Sequence, residues 1–248
     1  MLQRLLVLAT AAAAVVTPFA ANPSAHAADA PRAVVIFVPG QSVGPLPYEP
    51  MAASLRADGY ATRVLDLNGF DMTADAVAIA RAVDTARGEH PKAPVALVTH
   101  SVGAVSGRHY LRELGGADKV ATYVAIGAPQ YGSPAACGQP VGAEVCPGTE
   151  FMTNLNRGDD THGATAYYSI RSEREWTDGR LDGGQCRLTP FPTLGNGGLD
   201  HSLEPLIPAV ETQVRAAVDG VCAGEYADEP DGAVTAESSL WPTGIPYS

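Results

Sequence analysis

Short apolar segments rich in β-branched residues alternate with longer amphipathic segments along most of this chain. The apolar segments are typical of buried strands and read AVVIFVPG, YATRVLDL, APVALVTH, KVATYVAIGAP and ATAYYSIRS. Helical periodicity occurs between and after them, in PYEPMAASLRADG, in MTADAVAIARAVDTARG, in VGAVSGRHYLRELGG and in residues 202–218. Strands that are apolar on both faces and alternate with helices form parallel sheets covered on both sides. The pattern predicts an α/β fold with a mostly parallel central sheet of about six strands and helices on both faces.

The amino terminus has the layout of a secretory signal peptide. A basic residue precedes an apolar run over residues 5–16, and small residues follow at Ala25 and Ala27. A transmembrane anchor is the alternative, but the run is shorter than the roughly 20 residues that cross a bilayer. We therefore expect residues 1–27 to be a signal peptide and the mature protein to be secreted and extracellular, with no stable membrane insertion.

The remaining length suits one domain over residues 28–222, followed by an acidic, proline-containing tail over 223–248 that we expect to be mobile or draped over the surface. The formal net charge is -11, from 16 Lys plus Arg against 27 Asp plus Glu. Phosphate binding needs clustered cations, and no basic stripe occurs in the sequence. Nucleic acid is therefore excluded as an expected partner, and we expect a monomer.

Four cysteines lie in the portion predicted to be exported, where disulfides are the default state. Three pairings are open from sequence alone. Short local loops close readily, which favours one bridge from Cys137 to Cys146 and another from Cys186 to Cys222. Their spacing lacks the C-x-x-C pattern of zinc sites, so we expect no metal to be bound there. We expect no cofactor either. The four are Cys137, Cys146, Cys186 and Cys222.

The stretch THSVG joins the third predicted strand to a helix and approximates G-x-S-x-G, the nucleophile elbow. In such an elbow a sharp strand-to-helix turn exposes a serine hydroxyl, and small flanking residues let strand and helix approach closely. Ser101 is the candidate nucleophile. Thr99 occupies the first small position, where glycine is usual, so the turn must accommodate a methyl group and a hydroxyl.

A serine nucleophile needs a base, which follows it in the chain in this kind of fold. His109 lies within the helix after the elbow and cannot turn back to the serine. His162 lies in a polar loop with no strand directly before it. His201 lies in a glycine-rich loop that enters the last predicted helix, so we predict that His201 is the base.

The acid that orients the base should lie in the loop after the fifth strand. The carboxylates there are Glu173, Glu175, Asp178 and Asp182. Glu175 and Asp178 lie far enough beyond the strand to point inward. We predict Glu175 as the acid, with Asp178 as the alternative; its task is to hold the neutral tautomer of the histidine and to stabilise the imidazolium.

An oxyanion hole would complete the site. One backbone N–H comes from the residue after the nucleophile, Val102, and a second from the loop after the first strand, at Gln41 in VPGQ. Gly40 allows the backbone to approach a substrate closely.

From about Val34 to Val218 the chain resembles the class 2 group of secreted bacterial lipases in the α/β-hydrolase superfamily. The resemblance rests on VPGQ, THSVGA, PGTEFMTNLNRGDDTHG, YYSIRSE and DHSLEP. It implies the α/β-hydrolase fold, hydrolysis of carboxylic esters, a triad of Ser101, Glu175 and His201, and oxyanion donors at Gln41 and Val102. The group normally has aspartate as its acid and histidine where this chain has Pro39.

The sequence thus predicts a serine hydrolase of the carboxylesterase or lipase type, working through an acyl-enzyme on an acyl-ester small molecule or lipid. No strongly apolar lid helix is visible, which favours short- to medium-chain acyl esters. A hydrolase-like protein that only binds lipid or a partner is an alternative. A polyester or peptide hydrolase with the same triad is another, because one fold hosts many chemistries.

Overall fold

The computed structural model describes residues 30–173, 175, 179–188 and 197–239. The predicted signal peptide over 1–27, the alternative acid Asp178 and the last part of the tail lie outside these ranges. Within the described ranges, no helix combines the length and the apolar character needed to cross a membrane.

A single seven-stranded sheet forms the centre of the described part of the chain, with strand order β2-β1-β3-β4-β5-β6-β7. The first six strands are parallel, and β7 pairs antiparallel with β6 at one edge. Their bounds are β1 Val34–Val38, β2 Ala61–Val64, β3 Val95–His100, β4 Thr122–Ile126, β5 Ala166–Ile170, β6 Gln185–Arg187 and β7 Glu225–Ala227.

Helices connect the strands and cover the sheet. The α-helices are α1 Glu49–Ala57, α2 Met72–Glu89, α3 Val102–Glu113, α4 Glu150–Leu155, α5 Gly197–Leu203, α6 Pro208–Val218 and α7 Ala236–Ser239. Short 3-10 turns cover Leu46–Tyr48, Gly116–Asp118, Pro134–Ala136, Ala143–Val145 and Glu204–Leu206.

Two apolar layers lie on opposite faces of the sheet, as the strand β1 illustrates. Successive residues of a strand point to opposite faces. Val34, Ile36 and Val38 pack in the layer that includes α2 and α3, whereas Val35 and Phe37 pack in the layer that includes α1 and α6. This confirms the predicted parallel sheet with helices on both faces.

The predictions were incomplete at the carboxyl-terminal side of the sheet. The sequence located five strands of the sheet, and residues 185–187 form a further strand, β6, within a segment read as irregular. Residues 225–227 form β7, so this part of the tail, which was expected to be mobile or draped over the surface, is hydrogen-bonded to the sheet. The last helix was expected over 202–218 with its start interrupted by Pro205 and Pro208. The segment is divided there into the end of α5, a 3-10 turn and α6, which begins at Pro208.

Candidate active site

The carboxyl ends of three adjacent strands meet at one edge of the sheet. His100 at the end of β3 is in register with Ile126 at the end of β4, which is in register with Ile170 at the end of β5. Ligands of open parallel sheets bind outside these ends. The loops that leave these three strands therefore define the place to look for a functional site.

Ser101 follows β3 and has a left-handed backbone, with φ of 56°. Ser42 is the only other described residue besides glycine with positive φ. Such a conformation is strained for a residue with a Cβ and persists where the surroundings hold it. The backbone N–H of Ser101 donates to the Ile126 carbonyl at 2.9 Å, and α3 begins immediately afterwards. The turn thus holds the serine side chain above the sheet edge.

Glycines make this turn sterically possible. A Cβ on Gly103 would lie 2.3 Å from the carbonyl oxygen of Pro39, and one on Gly40 would lie 2.8 Å from Cβ of Ser101. Those distances are too short for any side chain without movement of the backbone. The close approach brings the loop that follows β1 directly against the serine turn.

Thr99 fits the first small position because the opposing helix carries a glycine. Its hydroxyl donates to the Val124 carbonyl at 2.9 Å, and its methyl group is 3.1 Å from where a Cβ on Gly107 would be. A threonine is therefore accommodated on β3, with its polar atom hydrogen-bonded inside the core.

Ser101, His201 and Glu175 form a hydrogen-bonded chain. Nε2 of His201 lies 2.9 Å from Oγ of Ser101, and Nδ1 lies 3.0 Å from Oε1 of Glu175. Glu175 is 2% exposed, so its carboxylate is shielded from water. With the N–H on Nδ1 donating to the carboxylate, Nε2 is free to accept the serine proton. The geometry can activate a hydroxyl as a nucleophile.

Gly127, the residue directly after β4, leaves room for the hydrogen-bonded side chains of His201 and Glu175. Gly127 has φ of 53°, and a Cβ there would lie 2.9 Å from both Nδ1 of His201 and Oε2 of Glu175. The same Cβ would collide with Oε2 of Glu204, at 2.1 Å. Only glycine meets both the conformational and the steric requirement at this position.

A second histidine, His100, hydrogen-bonds to the backbone of His201. Nε2 of His100 is 2.9 Å from the His201 carbonyl and therefore donates to it, while Nδ1 accepts from the Tyr48 hydroxyl at 2.7 Å. The Tyr48 oxygen in turn accepts from the Gly40 N–H at 3.1 Å. Burial lowers the pKa of His100 to about 3 and raises the pKa of Tyr48, so both stay neutral. The network links the loop after β1 to the helix that bears His201.

An open cleft with a volume of about 90 Å³ reaches the serine and histidine. Gln41 and Val102, the predicted oxyanion donors, both line it. Val102 is the first residue of α3, a position whose N–H has no partner within the helix. A Cβ on Gly69 would lie 2.8 Å from Cα of Gln41, so this loop is also closely packed.

The structure contains two disulfides. Cys137 pairs with Cys146 and Cys186 with Cys222, the pairing that the short loops favoured. The first bridge closes a loop that supplies Gln139 and Gly142 to the cleft wall. The second joins β6 to the segment directly after α6 and encloses His201 within its loop.

The other residues considered in the sequence lie elsewhere. His109 packs beside the Phe151 ring, with centroids 5.1 Å apart, and His162 is exposed. Glu173 is exposed, and the backbone of Asp182 is bonded to Asp160 rather than to a histidine.

Sequence reasoning did not identify Tyr48, His100, Gly127 or Glu204 as parts of the site. The sequence could have indicated Glu204, because it lies three residues after His201 in DHSLEP. On a helical segment that spacing places two side chains on one face.

The topology and the serine turn define the α/β-hydrolase fold. No protein-family model matches the sequence, and no curated protein matches it. The solved structures that it resembles include the mature form of the lipase BlEst2 from Bacillus licheniformis, at 21% identity and a TM-score of 0.51, covering 62% of this chain and 70% of that one.

Two further structures show the same fold over more of the chain. The propeptide form of BlEst2 is 18% identical, with a TM-score of 0.63, and the match covers 86% of this chain but 55% of that one. The product of the gene lin2722 from Listeria innocua is 13% identical, with a TM-score of 0.56, covering 81% and 99%. At these identities the similarity establishes the fold.

Proposed function

We propose that this protein is a secreted serine hydrolase that cleaves carboxylic esters of short- to medium-chain acyl groups. The observation that carries the proposal is the hydrogen-bonded chain from Ser101 through His201 to Glu175, opening into a cleft at the carboxyl edge of the sheet. The lipases among structures of similar fold and the motifs shared with the class 2 lipase group support the same reaction. The two disulfides are compatible with export.

The first half of the reaction forms an acyl-enzyme. Oγ of Ser101 attacks the ester carbonyl carbon while its proton passes to Nε2 of His201. The negative charge that develops on the carbonyl oxygen is held by the backbone N–H groups of Gln41 and Val102. The bond to the alcohol then breaks, and the alcohol leaves with the proton from His201.

The second half releases the acid. Water gives a proton to Nε2 of His201 and attacks the acyl carbon, and collapse of the second tetrahedral intermediate returns the proton to Ser101. Throughout, the Glu175 carboxylate accepts the Nδ1–H of His201 and stabilises the imidazolium in both halves.

Substrate size follows from the cleft. Its apolar lining consists of small or medium side chains, namely Val102, Pro129, Ala135 and Ala136. Such a lining provides limited apolar area for an acyl chain. The cleft therefore suits short and medium chains better than long ones.

A series of p-nitrophenyl esters from acetate to palmitate tests this substrate range. We expect kcat/KM to be highest between butyrate and octanoate and at least about tenfold lower for palmitate, because added methylenes find no further buried surface. Initial rates at matched substrate dispersion provide the measurement, with the Ser101→Ala variant as the blank. A maximum at palmitate would contradict the assignment of chain length.

The disulfide between Cys137 and Cys146 should affect the choice of acyl chain. Its loop supplies Gln139 and Gly142 to the cleft wall, and the residues just before the loop supply Ser133, Ala135 and Ala136. We expect the double variant with serine at both cysteines to raise the ratio of octanoate to butyrate hydrolysis several-fold, because the wall loses a covalent restraint.

The matched control removes the other bridge, with serine at both Cys186 and Cys222. That bridge closes a longer loop, with a sequence separation of 36 against 9. Its removal should lower the free energy of unfolding by about 4 kcal/mol, against about 2.5 kcal/mol for the shorter loop. Urea unfolding measures both values. Equal shifts in chain preference for the two double variants would contradict a specific role for the shorter loop.

A further inference from the structure

Glu204 is a buried carboxyl group beside the proposed triad that the mechanism above does not use. It is 0% exposed and begins the 3-10 turn that directly follows the helix bearing His201. Its Oε2 lies 3.9 Å from Nδ1 of His201 and 3.5 Å from Nε2 of His100. Its Oε2 and Oε2 of Glu175 approach the same point, the position of a Cβ on Gly127, to 2.1 and 2.9 Å, so the two carboxyl groups are close neighbours.

Two neighbouring carboxyl groups that are shielded from water are not both ionised, since like charges this close repel strongly. The pair therefore shares one proton, which allows one group to donate a hydrogen bond to the other. The Nδ1–H of His201 points at Glu175 from 3.0 Å, which favours the ionised form of that residue. Burial and the charge of Glu175 raise the pKa of Glu204 well above its usual range. The shared proton therefore lies on Glu204.

We propose that Glu204 is a positioning residue that works as a neutral carboxylic acid, donating a hydrogen bond to Glu175 and holding it against His201. This inference rests on the proposed function and adds a fourth member to its chain of hydrogen bonds. The residue touches neither the substrate nor the serine. It acts through the orientation of Glu175 and by limiting the pair to one negative charge.

Several titratable groups face Glu204 from the elements around it. Glu175 lies on the loop after β5, Asp200 and His201 on α5, His100 at the end of β3, and Tyr48 on the turn before α1. Burial keeps His100 and Tyr48 neutral, so neither offsets a new negative charge. Ionisation of Glu204 would place a second charge beside Glu175 and remove the proton that joins them.

Alanine and glutamine at position 204 separate this role from simple packing. Glu204→Ala should lower kcat for p-nitrophenyl butyrate by roughly 100-fold at neutral pH with little change in KM, because Glu175 loses its anchor. Glu204→Gln keeps an N–H donor toward Glu175 and should restore kcat to within about fivefold of the wild type. An equal loss in both variants would overturn the proposal.

The pH profile provides a readout that a packing role would not affect. In the wild type, kcat should fall at alkaline pH as Glu204 ionises, whereas Glu204→Gln cannot ionise and should lack this alkaline limb. The comparison needs only the glutamine variant, so it stands even where the alanine variant does not fold. An identical alkaline limb in the wild type and in Glu204→Gln would overturn the proposal.

Unfolding measured against pH tests the buried proton without any reference to activity. The folded protein retains the proton of Glu204 above the usual value of 4.5, where the unfolded chain releases it. Stability should therefore decline as pH rises from that value toward the folded pKa. Glu204→Gln should remove this part of the slope, whereas Glu211→Gln on α6 should keep it.

Different results would refute the proposed ester hydrolysis and the proposed role of Glu204. An inactive wild-type protein would refute the proposed ester hydrolysis while leaving the unfolding slope of Glu204 intact. An active wild type whose unfolding slope is the same as that of Glu204→Gln would refute the neutral carboxyl group alone.

Discussion

Ser101→Ala should lower kcat for p-nitrophenyl butyrate by on the order of 10⁴- to 10⁶-fold. The hydroxyl that Nε2 of His201 contacts at 2.9 Å is the group that forms the acyl bond in the proposed mechanism. Alanine removes that oxygen and leaves the turn, the cleft and the histidine in place. Pre-steady-state kinetics with substrate in excess should show a burst of p-nitrophenol from the wild type and none from the variant.

Ser133→Ala is the matched control, because Ser133 is a serine of the cleft wall. It should stay within about tenfold of the wild type, because Ser133 lines the cleft outside the hydrogen-bonded chain of Ser101, His201 and Glu175. A p-nitrophenyl phosphonate should label the wild type once, at Ser101, and leave Ser101→Ala unmodified. Full activity in Ser101→Ala would remove the serine hydrolase mechanism, and a wild type that resists the phosphonate would favour a protein that only binds lipid or a partner.

Glu175→Gln should lower kcat by on the order of 10³- to 10⁴-fold, through loss of the charge that holds and stabilises the imidazolium. Glu175 approaches Nδ1 of His201 to 3.0 Å, whereas the carboxyl group of Glu204 lies at 3.9 Å, too far for a hydrogen bond. The measurement is kcat and KM between pH 6 and 9, with the loss appearing in kcat.

Two substitutions on the same loop complete the comparison. Glu173→Gln removes an exposed carboxylate two residues earlier and should have little effect on kcat. Asp178→Asn tests the alternative acid, which lies outside the described residues. A larger loss for Asp178→Asn than for Glu175→Gln would transfer the role of the acid to Asp178.

Local patterns in the sequence predicted the larger strands and the serine turn. Buried parallel strands such as β3 need uninterrupted apolar runs, and a strand-to-helix turn around Ser101 needs small neighbours, so both leave a local trace. The strands β6 and β7 left none. Each has three residues, and neither is an apolar run; they exist because their backbones pair with a neighbour already in place.

The placement of His201 was predictable because chain order and loop composition left few choices. The residues that support His201 could not be predicted in this way. Tyr48, His100 and Gly127 carry no motif that distinguishes them from core or turn residues, and their roles depend on which loops meet at the carboxyl edge of the sheet.

The sequence by itself determined the alternation of strands and helices, the strand-to-helix turn at Ser101 and the glycine-rich approach to His201, because these depend on residues that are neighbours in the chain. Only the tertiary structure decided that Glu175 and Glu204 share a buried space opened by Gly127. Contacts between such distant positions follow from the order and register of the strands. Whether a carboxyl group holds or releases a proton then depends on neighbours that folding brings together and on the water it excludes.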